Sequence, residues 1–494
     1  MVKNQQRKNQ IATLTTVVML LAGQTSYAAE SYEAWLKKDN SEFAAYEAKV
    51  TQAYGKYLEE DAKAFNAFVK AAAREWGKDN VWVPKKTTWV EYREDWKERS
   101  SVQFQDGTAK VEVIIANNAT DADIKKSVAD AVETLILSGS ISPIEMMRRK
   151  LFPNRYKNSS KANGQRTSNP ASSTASQITY TVKKGDSIWR VSRKFKVSRA
   201  ELAEANGISP DSWLKIGQQL IIPEKTSENS PTPAASLGSS VQSFSRDPRL
   251  APPDKAPLLA HQVKMPDGSE VTRKNARQFA ESIAAARNYK EEHVTGSDGK
   301  KRRAVSASFH LVPNHIRIRA ERFRPIILKY AAQEGVYAPL VFAIIHSESS
   351  FNPRARSNVP AYGLMQLVPR SGARDAYRYL YKKDRLVSGT YLYQPENNIQ
   401  LGTAFLHLLG QRYFRRINNP MSRMLCSIAA YNTGAGNVCK AFGAGTSLSR
   451  AAIIINRMEP TEVYTSLRNN LPYAETREYV KRVSSRVSLY KEWK

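Results

Sequence analysis

Apolar positions along this chain fall into a few clear rhythms, and each rhythm predicts an element. Between Ser31 and Trp76 a long helical periodicity runs through Trp35, Phe43, Tyr46, Tyr54, Tyr57, Phe65 and Phe68. Aromatics on such a stripe are expected in a core rather than on an exposed binding platform. The segment Lys110-Val111-Glu112-Val113-Ile114 alternates apolar and polar residues after a turn at Asp106-Gly107, which predicts a half-buried strand. A second alternation sets Val305, Ala307, Phe309 and Leu311 against Ala304, Ser306, Ser308 and His310 within 302–313. Residues 276–289 read as a helix. Val341, Ile344, Ile345 and Glu348 stand at i, i+3, i+4 and i+7, so they share one face of a helix spanning 341–350. Near the end of the chain, Val480, Val483, Val487 and Tyr490 form another helical stripe. The fold class these patterns predict is multidomain α+β, with an α+β amino-terminal part and an all-α carboxy-terminal part.

Composition breaks the chain into pieces. Asn158–Ser176 is rich in Ser, Asn and Thr, and Glu224–Ser245 adds Pro and Gly; both are expected to be flexible linkers. Thr179–Pro223, between them, has period-two apolar residues at each end and helical spacing in the middle, the pattern of a small β-α-α-β unit. The expected division is a leader at 1–28, a domain at 30–153, linkers at 154–177 and 225–246 around a module at 178–224, and a last domain at 320–494. Residues 247–318 are expected to pack onto 30–153 and complete one discontinuous α+β domain. A length of 494 residues suits about three domains.

Charge and cysteine content narrow the partners. Lys and Arg number 75 against 46 Asp and Glu, a net charge of +29. Such a field draws the chain toward polyanions and is screened by salt. Nucleic acid is one polyanion, but no nucleic-acid motif is present, so no nucleic-acid partner is expected. Lys3, Arg7 and Lys8 precede an apolar run from Ile11 to Ala22, and Ser26-Tyr27-Ala28 offers a small-residue cleavage site. The run is too short to span a bilayer and reads as a secretory signal peptide, with an uncleaved signal anchor as the alternative. The two cysteines, Cys426 and Cys439, leave two readings open, a disulfide in an oxidising compartment or a pair of packed thiols. The six histidines are scattered without ligand spacing, so neither a metal nor a cofactor is expected.

Glu348 carries the chemistry. A carboxyl group on a buried helix face without a tightly paired cation tends to hold its proton, and a protonated carboxyl near neutral pH is a general acid. Three strings surround it in sequence: Glu348-Ser-Ser-Phe-Asn-Pro353, Gly363-Leu-Met-Gln-Leu367 and Ala430-Tyr-Asn-Thr-Gly-Ala-Gly436, with a weaker fourth at Leu471–Val480. In this order they resemble the soluble-lytic-transglycosylase (SLT) domain, a goose-type-lysozyme-like helical fold that cleaves peptidoglycan, over roughly residues 320–494. Two-carboxylate glycosidases need a second acid; Asp375, Glu396, Glu459 and Glu462 are present but lie outside the motif strings. The resemblance implies a one-carboxylate scheme in which Glu348 serves as acid and then base, and the sugar's own C6 hydroxyl closes on C1. It further implies that Ser357 orients the N-acetyl group, that Met365 and Gln366 shape the groove, that Tyr431 and Asn432 face the cleaved sugar, and that the Tyr479 hydroxyl approaches Glu348. Core packing is the plainer role for both tyrosines, and Gly434 and Gly436 suit a tight turn between helices. A water-using muramidase and a non-catalytic wall-binding protein are the rival readings.

Tyr180-Thr-Val-Lys-Lys-Gly-Asp-Ser-Ile-Trp189 and Leu214-Lys-Ile-Gly-Gln-Gln-Leu-Ile-Ile-Pro223 resemble a LysM module, which binds N-acetylglucosamine chains. The resemblance implies a shallow sugar groove from Gly185, Asp186, Ser187, Gly207 and Ile208. Strings at 87–92, 102–107, 312–320 and 451–467 are similar to the membrane-bound lytic murein transglycosylase C family. That family is lipid-anchored through a cysteine, whereas Gln24 follows Leu21-Ala22-Gly23 here. The expectation is therefore a periplasmic protein without a stable membrane anchor, whose partners are peptidoglycan strands and other cell-wall enzymes.

Overall fold

The computed structural model describes residues 47–93, 95–138, 142–153, 257–286, 289–357 and 359–493, positions 41, 44 and 45, and parts of 178–222. The leader, Gln24, Trp35, Phe43, Tyr46 and both linkers lie outside the described residues. Residues 1–156 with 247–494 form one compact unit and 157–246 a second.

In the larger unit, residues 47–76 form helix α1. Strands β1 (Thr88–Tyr92), β2 (Glu98–Gln103) and β3 (Thr108–Ile115) follow as an antiparallel meander. Between β2 and β3, Gly107 takes a left-handed φ of 76° and the Asp106 carboxylate accepts the Thr108 N–H at 3.1 Å, so the Asp-Gly pair makes the turn for the usual reason. Helix α2 (Asp121–Leu137) opens on a capping box between Thr120 and Asp123, and α3 (Pro143–Leu151) on a Ser142 cap.

The smaller unit holds strands β4 (Ile178–Thr181) and β5 (Gln219–Ile222), paired antiparallel. Val182, Val191, Leu202 and Leu220 form its core, with Tyr180 and Phe195 packed against it. The Asn206 side chain donates to the Leu202 and Ile221 carbonyls and accepts the Ile221 N–H at 2.7 Å. Gly185, Asp186, Ser187, Gly207 and Ile208 lie outside the described residues.

Helix α4 (Ala276–Ala285) and strands β6 (Lys290–Thr295) and β7 (Lys301–His310) return the chain to the first sheet. β7 pairs with β3, Val305 opposite Val113 and Phe309 opposite Ala109, giving the order β1-β2-β3-β7-β6. One face of this sheet buries Val111, Val305 and Phe309 against Val128, Val132 and Leu135 of α2 and Phe279 of α4. Val90, Tyr92, Val294 and Ala304 pack with Phe68 and Trp76 of α1 in a separate core. The sheet is thus sandwiched between helices.

The rest is helical: α5 (His315–Glu334), α6 (Ala338–Ser349), α7 (Gly372–Tyr381), α8 (Pro395–His407), α9 (Pro420–Thr433), α10 (Ala435–Ala441), α11 (Leu448–Ile455), α12 (Pro460–Asn470) and α13 (Ala474–Val487). Spacing predicted one buried face for α6, but Val341, Phe342, Ala343, Ile344 and Ile345 are all buried, so the domain wraps it on every side. Cys426 on α9 and Cys439 on α10 are free, buried thiols, which corrects the disulfide alternative; burial pushes both thiols up. Among the described residues, no helix is long and apolar enough to cross a membrane and no side-chain cluster could hold a metal ion.

Helix α1 also mounts the sheet on the helical domain. Its buried Asp61 pairs with Arg148 of α3 and Arg356, and accepts the Tyr362 hydroxyl at 3.2 Å. Tyr57 meets Tyr362 edge-on and its hydroxyl accepts the Gly389 N–H at 3.1 Å.

Candidate active site

Glu348 sits on the last turn of α6, its side chain only 7% exposed. The helix stops there because Ser350 and Phe351 both adopt left-handed backbone, φ 49° and 61°, an unfavourable conformation that surrounding contacts must hold. Several do. Ser349 donates to the Ile345 and Leu364 carbonyls. Buried Arg319 of α5 donates to the Ser350 carbonyl at 3.0 Å. Fully buried Asn352 accepts the Arg354 N–H with its side-chain oxygen and donates its NH2 to the Lys86 carbonyl.

The facing wall is the turn Tyr362–Leu367, closed by reciprocal backbone bonds between its end residues, each 3.1 Å. The buried Asn398 of α8 pins it, accepting the Met365 N–H at 2.8 Å and donating to the Tyr362 and Leu392 carbonyls. Gln366 is left-handed as well, φ 47°, and donates to the Gly363 carbonyl. Its side-chain oxygen is buried with no hydrogen bond among the described residues. From α9, the Tyr431 hydroxyl donates to the Met365 carbonyl at 2.8 Å, and Asn432 accepts from Thr476 of α13 at 2.7 Å. Gly434 caps α9 and turns directly into α10.

These walls enclose a cleft of about 650 Å³ whose lining includes Glu348, Ser357, Gln366, Tyr431, Asn432 and Glu475. Five of the seven residues proposed from sequence for this domain therefore meet in one cleft. Met365 and Tyr479 do not line it. The Met365 side chain is fully buried over Gly402, so the expected groove contact is corrected: Met365 serves the site through its backbone, which holds Tyr431. Tyr479 lies beneath the cleft, 1% exposed, with a hydroxyl that completes no hydrogen bond among the described residues. Ser357 stands at the lip; its hydroxyl donates to the Val359 carbonyl and accepts the Ala361 N–H. A larger cavity of about 800 Å³ lies in the sheet domain beside Glu91, Arg93 and Glu98, but none of the site residues proposed from sequence lines it.

Burial raises the carboxyls of Glu98, Asp375 and Glu348, and of these three only Glu348 lines this cleft. The rise at Glu348 is opposed by Lys86, by the Tyr479 hydroxyl and by Arg482. Burial, and then the Glu348 carboxylate, hold the Tyr431 and Tyr479 phenols well above theirs. The acids outside the motifs are used elsewhere. Asp375 pairs with Arg378, Glu396 with Lys329, and Glu459 and Glu462 cap α12. Sequence reading missed two charged residues of the cleft, Lys86 and Glu475. The Lys86 ammonium stands 3.9 Å from a Glu348 oxygen and 3.9 Å from a Glu475 oxygen. Glu475 was visible inside the weak fourth string, but nothing in the local pattern around Lys86 marks it.

Residues 325–454 match the family model of the transglycosylase SLT domain. The helical domain thus contains a transglycosylase SLT domain. Residues 180–223 match the LysM domain, and residues 44–157 match the N-terminal domain of membrane-bound lytic murein transglycosylase C. The chain is 38% identical over 240 residues to a membrane-bound lytic murein transglycosylase C of Sodalis glossinidius, covering 48% of this chain and 65% of that one. It is 40% identical over 186 residues to one of Pectobacterium atrosepticum, covering 38% and 51%. The chain thus spans between about half and two thirds of the length of these curated relatives. The chain is also similar, over part of its length, to two solved structures. One is the lytic transglycosylase Slt of Pseudomonas aeruginosa, 27% identical, covering 36% of this chain and 27% of that one, TM-score 0.26. The other is the 70 kDa soluble lytic transglycosylase of Escherichia coli, 25% identical, covering 36% and 26%, TM-score 0.27.

Proposed function

We propose that this chain is a peptidoglycan lytic transglycosylase that cuts the MurNAc-β-1,4-GlcNAc bond without water. The observation that carries this reading is the Glu348 carboxyl, buried at a cleft and held above its ordinary pKa. In the reading, protonated Glu348 gives its proton to the glycosidic oxygen and the C1–O bond breaks. The N-acetyl carbonyl of the same sugar stabilises the electron-poor C1. The Glu348 carboxylate then takes the proton of the C6 hydroxyl, whose oxygen bonds to C1. The product is a 1,6-anhydro end, and the acid returns to its starting state.

The remaining roles follow from position. The Gln366 side-chain oxygen, without a hydrogen bond among the described residues, would accept a sugar N–H or O–H. Tyr431 and Asn432 form the opposite wall, held by Met365 and Thr476. Ser357 would orient the N-acetyl group after turning its hydroxyl away from its own loop. Tyr479 would donate to the Glu348 carboxylate when that charge forms. The LysM residues Gly185, Asp186, Ser187, Gly207 and Ile208 would hold a second stretch of glycan. Secretion by the amino-terminal leader to the periplasm, with Gln24 in place of a lipidated cysteine, would bring both to their polymer.

Glu475 supports a second reading. Its oxygen and that of Glu348 lie no more than twice 3.9 Å apart, since both flank the Lys86 nitrogen at that distance. Such a pair could work with water as an ordinary glycosidase does. The 74% exposure of Glu475 favours the one-carboxylate scheme, because an open carboxylate at a rim is not held against C1. Digestion of purified sacculi followed by mass detection tests both. The lytic reading expects products lighter by one water than reducing-end fragments. It also expects Glu348→Gln to lose activity by about a hundred- to ten-thousand-fold with the fold intact, and Glu475→Gln to keep the anhydro product. Reducing ends that vanish in Glu475→Gln would establish hydrolysis instead.

A further inference from the structure

We propose that Lys86, carried by the sheet domain, is a positioning residue for the acid of the SLT domain: its ammonium stabilises the carboxylate that Glu348 becomes once its proton has left. The inference rests on the role proposed above for Glu348.

The geometry is built rather than incidental. Residues 85–88 form a tight turn at the mouth of β1, closed by Lys85 N–H to the Thr88 carbonyl at 3.1 Å and Thr88 N–H to the Lys85 carbonyl at 3.4 Å. The Thr87 carbonyl accepts the Phe104 N–H at 2.8 Å. Across the domain boundary, Asn352 donates to the Lys86 carbonyl at 3.3 Å. Arg319 ties the same two parts together, donating to the Phe104 carbonyl at 2.6 Å and to the Ser350 carbonyl at 3.0 Å. The turn is therefore fastened to the loop that follows Glu348 through both of its sides, and the Lys86 side chain enters the cleft with Glu348 and Glu475 on either hand.

The separation of 3.9 Å is chemically apt. It is too long for a tight hydrogen bond that would strip Glu348 of its proton, yet close enough for strong attraction once the carboxylate is charged. An interaction that strengthens as the reaction advances speeds the reaction, whereas one equal in both states does not. The other groups acting on Glu348 are the Tyr479 hydroxyl and Arg482 from α13, which favour the carboxylate, and Glu475, which opposes it; Tyr431 of α9 also faces it. Lys86 is the largest of the favourable influences.

The test uses the full chain and a soluble, peptide-free glycan fragment of peptidoglycan, so that no stem-peptide carboxylate is present for Lys86 to bind. Lys86→Met removes the charge and keeps the length; Lys86→Gln serves as an independent second variant. Loss of the cation makes Glu348 a weaker acid, so the alkaline limb of the pH–rate profile moves up by about one pH unit. Turnover below that limb falls several-fold, and the melting temperature stays near the parent's. Lys86→Arg restores the limb. The proposal is overturned if the limb stays in place or moves down in both charge-removing variants, if Lys86→Arg shifts it equally, or if the effect requires peptide-bearing substrate. Glu348→Gln separates the two failures. If that variant remains active, the role of Glu348 itself is wrong; if it is dead while the limb of Lys86→Met is unmoved, only the role of Lys86 is.

Discussion

The Tyr479 hydroxyl is buried against the Glu348 carboxyl, whose charged form it favours, yet it completes no hydrogen bond of good geometry among the described residues. An unmet buried hydroxyl costs about 1–3 kcal/mol, and such a cost at a cleft suggests a partner present only during turnover. Tyr479→Phe should therefore keep or raise the melting temperature while lowering turnover by about tenfold or more. Equal losses in stability and rate would make Tyr479 a packing residue only. The residues legible from sequence were those whose neighbours in the chain form a motif: Glu348, Gln366, Tyr431 and Asn432 all reach the cleft. Lys86 was not legible, because its partner lies 262 positions away and is met through a turn whose sequence carries no chemical signature. Met365 misled for the opposite reason. It stands inside a motif, yet its side chain faces the core and only its carbonyl reaches Tyr431.

At the scale of elements, periodicity located α6 but underestimated its burial. The apolar spacing of Val341, Ile344 and Ile345 marks one face, and the intervening Phe342 and Ala343 are enclosed too. The alternation after Arg302 located β7, since a strand's two faces leave a period of two whatever it pairs with. The helix read over 276–289 ends earlier, at Ala285, and Tyr289 is used instead to bond Asp121 at the start of α2. The contact between α8 and the Tyr362–Leu367 turn had no sequence signal beyond a glycine. A methyl group on Gly402 would stand 2.2 Å from the Met365 sulfur and 3.0 Å from its Cβ, and Met365 has nowhere exposed to go. Gly402→Ala should lower stability by about 1–3 kcal/mol in denaturant titrations. It should also reduce activity beyond that loss, because the Met365 carbonyl that holds Tyr431 moves with its side chain. A stable variant with full activity would show that the turn accommodates the methyl group without cost.

For the whole molecule, on the function proposed above, charge and modularity would make separable contributions to substrate capture. A net charge of +29 attracts any anionic polymer, and sacculi bear the carboxylates of their stem peptides. The LysM domain matched at 180–223 would, on the same reading, offer a second, specific hold. It is flanked by stretches whose Ser-, Asn-, Thr- and Pro-rich composition suits a tether, and a tethered binder raises the local concentration of the catalytic domain on the same polymer. At physiological ionic strength the two effects mix. At about 1 M salt the screening length falls to about 3 Å, so the charge contribution largely disappears while sugar contacts remain. Deleting 178–224 should therefore weaken sacculus binding on the order of a hundredfold at high salt and by a smaller factor at low salt, as read by co-sedimentation. Turnover of short soluble muropeptides should be unchanged, because a fragment that fills only the SLT cleft gains nothing from a second site. Sacculus binding that is lost with salt in the full chain and the deletion alike would assign capture to charge alone and leave the LysM domain without a role in it.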